Sequence, residues 1–127
     1  MSRKHLESNG GPKAIGPYSS GVWAGDLLYL SGQTPVDPAS GDLIRGDIAA
    51  QTNRVFDNFA AVLKDAGLSL DDVVKCNVYL TDMANFSAMN ATYQSRFSKP
   101  YPARTTIGVK QLPKDAMVEI EMIARRG

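Results

Sequence analysis

Apolar and polar positions along this chain recur with two different periods, which predict an alternation of strands and helices. Alternating segments flank Gly25-Asp26, and this pattern predicts two strands joined by a two-residue hairpin turn. Three further alternating segments follow later in the chain. The predicted strands cover residues 18–24, 27–31, 73–81, 104–109 and 118–124.

Two segments have helical periodicity instead. The first runs from about residue 47 to 66, with Asp47 suited to cap its start and Gly67 suited to end it. The second runs from about residue 83 to 98, with Asp82 as its cap. The apolar stripes are Ile48, Val55, Phe59, Val62, Leu63 and Ala66 on the first helix, and Phe86, Met89, Tyr93 and Phe97 on the second.

The element order predicts an α+β fold with a mixed sheet. Strands joined by a helix favour parallel pairing, whereas the hairpin is antiparallel. Two helices cover only one sheet face, yet the third predicted strand is apolar on both faces. Its apolar residues are Val74, Cys76, Val78 and Leu80 on one face, and Val73 and Tyr79 on the other. We therefore expect a closed symmetric oligomer that packs sheet against sheet.

Composition narrows the class of protein. The 127 residues suit one domain, spanning 1–127, and 43% hydrophobic with 21% charged residues is typical of a globular chain. The net charge of +1 indicates neither a nucleic-acid nor a membrane surface. Residues 1–12 are polar and lack an apolar signal-peptide region, so we expect a flexible start and a cytoplasmic protein.

Several kinds of catalytic site are excluded by residue counts. Cys76 is the single cysteine and lies among alternating apolar positions, where a small buried hydrophobe is expected. His5 is the single histidine and lies near the start of the chain. A catalytic pair built on histidine and a zinc site are therefore not expected, and we predict no metal.

One cation and one carboxylate are the first candidates for chemistry. Arg104 begins a predicted strand two residues after Pro102, and Glu119 lies on the polar face of the last strand beside Glu121. Such a pair could hold a small anionic substrate and direct a water molecule at it. The alternative is a surface arginine and a solvated strand face, which the spacing alone leaves open.

Five other positions have polar or backbone chemistry near strand ends or on one helix face. Each also has an ordinary structural interpretation, such as an edge aromatic, a strand terminator or a helix surface residue. These positions are Tyr18, Ser31, Gly32, Asn90 and Thr106. Taken one at a time, the ordinary interpretation is favoured; taken as an ordered set, they form a recognisable pattern.

This ordered set resembles the reactive intermediate deaminase family, RidA or YjgF, from about residue 14 to 125. The most specific signal is Pro102-Ala103-Arg104 together with the later Leu-Pro and Glu-Ile-Glu. The segments that carry the resemblance are Ile15-Gly16-Pro17-Tyr18, Ser31-Gly32-Gln33, Gln51-Thr52 with Asn58, Ala66-Gly67, Asp72-Val73-Val74-Lys75, Leu80-Thr81-Asp82-Met83, Asn90-Ala91-Thr92-Tyr93, Pro102-Ala103-Arg104, Leu112-Pro113-Lys114-Asp115 and Val118-Glu119-Ile120-Glu121.

The resemblance implies a chorismate-mutase-like α+β domain, assembled as a homotrimer with active sites between subunits. It implies hydrolysis of 2-imino acids, such as 2-iminobutanoate and 2-iminopropanoate, or of their enamine tautomers, to 2-oxo acids and ammonia. No metal or organic cofactor is implied. The resemblance also implies that the protein removes reactive intermediates that leak from pyridoxal-phosphate dehydratases.

The resemblance also implies residue roles. Arg104 would bind the substrate carboxylate, and Glu119 would hold and activate water. Tyr18 and Ser31, with backbone groups at Gly32 and Thr106, would shape the end of the pocket that holds the imine nitrogen. Asn90 would line the pocket. Active family members commonly have cysteine where this chain has Thr106, and we expect that position to act through its backbone N–H.

Other functions remain open from the sequence. A deaminase specific for one pathway, acting on aminoacrylate or aminomuconate, would differ in pocket volume. A regulatory protein that binds small carboxylates would need Arg104 and could dispense with Glu119. Endoribonuclease activity, attached to some family relatives, is disfavoured by the near-neutral charge and the absence of a histidine pair.

Overall fold

A computed structural model of the chain describes residues 3–127, so Met1 and Ser2, with that part of the expectation for residues 1–12, lie outside the described residues. The described residues form one sheet and two α-helices. The strands are Lys4–Leu6 (β1), Gly21–Ala24 (β2), Leu27–Gln33 (β3), Val73–Leu80 (β4), Ala103–Gly108 (β5) and Val118–Arg125 (β6). The α-helices are Ile48–Asp65 (α1) and Phe86–Arg96 (α2), and 3-10 turns cover Leu70–Asp72, Met83–Asn85 and Pro113–Asp115.

The sheet is mixed, with strand order β1-β2-β3-β6-β4-β5. β4 and β5 are parallel because α2 carries the chain back between them, and the other neighbouring pairs are antiparallel. Gly25, at φ 60°, allows the tight turn between β2 and β3. The predicted α+β fold with a mixed sheet is confirmed.

Both helices pack on one face of the sheet and enclose the core. β6 sends Val118, Ile120 and Met122 to this face, as its alternation predicted. Phe56 of α1 meets Tyr93 of α2 edge to face, with ring centroids 5.7 Å apart. These buried apolar surfaces stabilise the fold and fix β6 and β5 relative to α2.

The capping signals lie where the sequence predicted them, although the second helix starts later. Asp47 accepts a hydrogen bond from the Ala50 amide and caps α1. Asp82 accepts from the Ala84 amide, but it caps the 3-10 turn before α2 and not α2 itself. The segment predicted as one helix is therefore a short turn followed by a shorter helix.

The face assignment within β4 needs one correction. Val73 is buried and Val74 is exposed, the reverse of the predicted arrangement. A register shift against β6 between Val73 and Lys75 places an extra residue in β4 at this point. A bulge reverses the sides on which preceding residues point, which strict alternation cannot predict.

The start of the chain contributes a strand that the sequence analysis did not predict. Residues Lys4–Leu6 pair with β2, and Leu6 is buried in the core. Gly11 lies so close to α1 that an added Cβ would be 2.5 Å from Val62 Cγ2. Backbone pairing and close packing of this kind leave little signal in a short polar segment.

The face opposite the helices lacks a covering layer within the described residues. Tyr29 is 48% exposed on this face, its register partner Ile123 is partly exposed beside it, and Tyr79 is partly exposed further along the same face. This agrees with the predicted uncovered face. In residues 3–127, neither helix has the length and apolar character that crossing a membrane requires.

Candidate functional site

Arg104 lies on the helix-covered side of β5. Its register partner on β4 is Cys76, a core residue, so its side chain points toward α2. Nη1 donates a hydrogen bond of 2.7 Å to Oδ1 of Asn90. The guanidinium carbon is 4.6 Å from the ring centroid of Tyr93 and 5.6 Å from that of Phe86. Stacking and one hydrogen bond hold the cation in one orientation.

The charge of Arg104 is not neutralised inside its own chain. Among residues 3–127, the ion pairs join other residues, and no carboxylate lies within 4.0 Å of this guanidinium. Most of its five N–H donors therefore remain available. A fixed, half-buried guanidinium with free donors is suited to bind a carboxylate through two parallel hydrogen bonds.

The surroundings of Arg104 contain two buried hydroxyls without a hydrogen-bond partner in the described residues. They belong to Tyr93 and to Thr106, whose register partner on β4 is the core residue Val78. Burial raises the pKa of the neighbouring Cys76 thiol to about 11. Cys76 is therefore a neutral core residue, as predicted, and not a nucleophile.

Glu119 lies on the opposite face of the same sheet. Its register partner on β4 is Tyr79, and its neighbours Val118 and Ile120 point into the core. No side chain or backbone group in residues 3–127 donates a hydrogen bond to its carboxylate. Partial burial, followed by repulsion from Glu121, raises the pKa of Glu119.

Glu121 shares this face but not this environment. Oε1 of Glu121 accepts hydrogen bonds from the Tyr79 hydroxyl at 2.5 Å and from Asn77 Nδ2 at 3.0 Å. The hydrogen bond to Glu121 is the first cause that raises the pKa of Tyr79, to about 12. The two strand carboxylates are thus distinct, one engaged by partners and one free to accept a proton.

Gly32 provides the space that the Glu119 carboxylate occupies. The register between β3 and β6 shifts between Leu30 and Gln33, which brings Gly32 against Glu119. A Cβ added to Gly32 would lie 2.5 Å from Oε2 of Glu119. Beside it, the Ser31 hydroxyl donates a 2.6 Å hydrogen bond to the Ser19 carbonyl. Glycine is therefore required for close approach of this carboxylate to the strand.

A cleft of about 830 Å³ opens over Glu119. Four of the residues predicted to form the site line it: Tyr18, Ser31, Gly32 and Glu119. Its walls come from irregular segments, residues 12–15, 34–41 and 113–114. Among residues 3–127, no group of three or more His, Cys, Asp and Glu side chains is arranged to hold a metal ion.

The predicted site residues therefore form two groups that one chain does not bring together. Arg104, Asn90 and Thr106 lie on the helix side, whereas the four residues that line the cleft lie on the other side. The sequence reading missed Asn77 and Tyr79 as partners of Glu121. Their signal was present, because their alternate positions on β4 face the polar side of β6.

Comparison with known proteins identifies the family. Residues 9–126 match the family model described as Endoribonuclease L-PSP. The chain is 41% identical to the 2-iminobutanoate/2-iminopropanoate deaminase of Escherichia coli, over 97% of this chain and 98% of that protein. The chain belongs to the RidA/YjgF family. It is also 44% identical to a RutC family protein of Pyrococcus abyssi, over 98% of each chain.

Solved structures of RidA/YjgF proteins share the fold over nearly the whole chain. The YjgF gene product of E. coli superposes with a TM-score of 0.91 at 41% identity, covering 98% of this chain and 99% of that one. TdcF of E. coli, solved with bound serine, gives 0.91 at 38% identity, covering 98% and 99%. The RidA/YjgF fold expected from the sequence is therefore confirmed.

Proposed function

We propose that the protein hydrolyses small 2-imino acids, or their enamine tautomers, to 2-oxo acids and ammonia. The observation that carries this proposal is the Glu119 carboxylate, which lacks a hydrogen-bond donor in the described chain and has a raised pKa. The 41% identity to a deaminase of this type supports the same reaction. Net hydrolysis consumes one water, which replaces the C=N bond with C=O and releases the nitrogen as ammonia.

Arg104 supplies substrate binding in this proposal. A 2-imino acid carries one carboxylate next to the imine carbon, so a bidentate grip on that carboxylate fixes the position of the reacting carbon. Stacking on Tyr93 and the hydrogen bond to Asn90 hold the guanidinium in place before the substrate arrives. Little orientation then has to be achieved when the substrate binds.

Glu119 supplies the proton transfers. It accepts a proton from water as the water oxygen bonds to the carbon of the protonated imine, and the C=N electron pair moves to nitrogen. Glu119 then donates that proton to the amine nitrogen of the tetrahedral intermediate, the C–N bond breaks as the carbonyl forms, and the released ammonia takes up the remaining hydroxyl proton, which leaves Glu119 again ionised. The raised pKa makes Glu119 a stronger base than an ordinary glutamate.

Two copies of the chain are needed to complete this site, and we propose that they belong to a homotrimer. Arg104 and Glu119 lie on opposite faces of one sheet, so a guanidinium from one subunit would have to meet the carboxylate of the next. The uncovered sheet face with Tyr29 supports assembly through that face.

The proposed substrate is small and carries a single carboxylate. TdcF, which shares the fold, was solved with bound serine, an amino acid of this size. A deaminase specific for aminoacrylate or aminomuconate would use the same groups with a different pocket volume. A regulatory carboxylate-binding protein would use Arg104 alone, and the free Glu119 favours catalysis over that alternative.

A mixing experiment tests both the reaction and the shared site. A 2-imino acid is generated with a pyridoxal-phosphate dehydratase, and release of the 2-oxo acid is followed with and without the protein. Arg104→Ala and Glu119→Gln are each expected to be nearly inactive. If they are unfolded and refolded together at equal amounts, about a quarter of the sites in random trimers receive both intact residues.

The outcomes separate the parts of the proposal. Recovery of about a quarter of the wild-type rate supports a shared site, whereas no recovery from two folded variants would argue against it. No acceleration by the wild-type protein, combined with measurable binding of 2-oxobutanoate, would favour the carboxylate-binding alternative. Sedimentation as a monomer at micromolar concentration would contradict the proposed trimer.

A further inference from the structure

Three polar side chains on α1 recur at intervals of seven residues: Gln51, Asn58 and Asp65. Seven residues are nearly two helical turns, so successive members lie about 10 Å apart and drift by only about 20° around the axis. We call these three residues the polar stripe of α1. Each of them bonds backbone in a segment that borders the cleft, leads into it, or leads into β6.

Gln51 bonds the segment that leads into β6. Its Oε1 accepts a 2.9 Å hydrogen bond from the Met117 amide, and its Nε2 donates to the Ile44 carbonyl at 3.4 Å. Met117 lies two residues before Glu119. The buried Gln51 side chain therefore fixes the backbone from which the proposed catalytic strand starts.

Asn58 bonds the loop that follows β3. Its Nδ2 donates to the carbonyls of Thr34 at 3.3 Å and Val36 at 2.9 Å, and its Oδ1 accepts from Arg54 Nε at 3.1 Å. Thr34 and Val36 both line the cleft. Asn58 is fully buried, so these bonds also satisfy its own polar atoms.

Asp65 bonds the start of the chain. A single oxygen, Oδ2, accepts three 2.9 Å hydrogen bonds, from the Ser8 hydroxyl and the amides of Asn9 and Gly10. The amide of Gly10 is the first cause that lowers the pKa of Asp65, so the carboxylate is ionised at neutral pH. Residues 12–15, which form one wall of the cleft, follow directly.

We infer that the polar stripe of α1 consists of positioning residues that hold the walls of the cleft. Within the described residues, residues 12–15 form no backbone hydrogen bond, and residues 34–41 bond mainly within their own loop, so another element must fix these walls to the rest of the fold. Burying the polar side chain of Asn58 also costs desolvation free energy, which an apolar residue at this position would avoid. This inference rests on the proposed function, since the cleft is taken as the substrate site.

Asp65 is the member best suited to a test, because it is exposed and its loss leaves the core intact. Asp65→Ala is expected to raise KM for a 2-imino acid about 3- to 10-fold, with kcat within about 2-fold of wild type. Asp65→Asn retains an acceptor oxygen, so its KM should lie between that of the wild type and that of Asp65→Ala. Asp71→Ala is the matched control, because Asp71 is an exposed aspartate whose side chain accepts no hydrogen bond in the described residues.

A second measurement does not depend on catalysis. Lys13 lies in the wall that Asp65 holds, so trypsin cleavage after Lys13 reports opening of that wall. We expect Asp65→Ala to speed this cleavage about 3- to 10-fold, and Asp71→Ala to leave it unchanged. Saturating 2-oxobutanoate should slow cleavage of the wild-type protein, because ligand and closed wall stabilise each other.

Asn58→Asp extends the test to the buried member of the stripe, since a carboxylate has the same shape but cannot donate to Thr34 and Val36. If this variant folds, its KM should also rise; if it does not fold, the Asp65 variants still test the inference. Unchanged KM and unchanged Lys13 cleavage in Asp65→Ala would overturn the inference. Faster cleavage in a protein without deaminase activity would retain the positioning role and refute the proposed function alone.

Discussion

The two faces of the sheet hold the two halves of the proposed site. On the helix side, Arg104 is a stacked and hydrogen-bonded cation without a carboxylate partner in the described chain. On the open side, Glu119 is a carboxylate with a raised pKa and without a donor in that chain. A folded chain usually pairs such charges internally or leaves them to water.

The difference between the faces also lies in how each group is held. The helix side uses a regular element, because α2 presents Asn90 and Tyr93 one turn apart to the guanidinium. The open side uses irregular loops and a glycine, which shape a cleft but depend on distant bonds for their position. Loop changes should therefore alter the cleft over Glu119 while leaving the Arg104 guanidinium in place.

The largest effect is expected from Arg104→Ala. Loss of a charge-assisted bidentate contact is worth about 2–4 kcal/mol, so kcat/KM for a 2-imino acid should fall about 100-fold or more. Arg126→Ala is the control. Arg126 also stacks on an aromatic ring, that of Trp23, but it belongs neither to the group around Arg104 nor to the cleft over Glu119. Near wild-type turnover in Arg104→Ala would remove this residue from the mechanism.

The next largest effect is expected from Glu119→Gln, which should lose catalytic rate but retain ligand binding. The amide cannot accept the proton from water, so kcat should fall about 100-fold or more, while 2-oxobutanoate still binds with nearly wild-type affinity. Glu121→Gln should have a smaller effect on kcat, because Glu121 is already engaged by Tyr79 and Asn77. Equal losses in both variants would contradict the distinction between the two carboxylates.

The raised pKa of Glu119 also predicts a pH dependence. The base must be ionised, so the acid limb of kcat should lie at higher pH than an ordinary glutamate would give, and Glu119→Gln should lack that limb. The free energy of unfolding changes with pH in the opposite direction to the change that a paired carboxylate causes. The folded state binds this proton more tightly than the unfolded state, so Glu119 favours folding less as pH rises through its pKa.

Gly32→Ala should produce a smaller, local effect on the open side. The new Cβ would displace the Glu119 carboxylate, and we expect kcat to fall about 10-fold while binding through Arg104 persists. Gly25→Ala is the contrasting variant, because Gly25 has open space around it but φ 60°. It should lose about 1 kcal/mol of unfolding free energy with unchanged kcat. Thermal unfolding and turnover measured together separate the two.

The smallest effect is expected at the turn before β6. Lys114 and Asp115 adopt consecutive positive φ angles of 56° and 59°, and Lys114 Nζ donates to the Gly41 carbonyl at 2.7 Å. Asp115→Gly relieves one of these left-handed residues and should raise the free energy of unfolding by about 0.5–1 kcal/mol. Urea unfolding measures the change, and a loss of stability would show that the Asp115 side chain contributes more than its backbone costs.

The sequence alone was sufficient for the elements that depend on local patterns. Alternation along β6 separated Glu119 from the core residues Val118 and Ile120, and helical periodicity with Asp47 defined α1. It failed where an irregularity in pairing decides the outcome. The bulge that buries Val73 and exposes Val74 depends on the neighbouring strand, and the pairing of β1 depends on β2.

The sequence by itself determined which residue types are available and, in strands that alternate without a bulge, which residues share a face. Arg104 and Glu119 stood out in this way before any distance was known. Only the tertiary structure decided that they lie on opposite faces of one sheet, because the register of β4 with β5 and β6 sets the side on which each points. Those registers arise from pairing between segments far apart in the chain, and local periodicity limits them only to pairings that keep the apolar residues on one face.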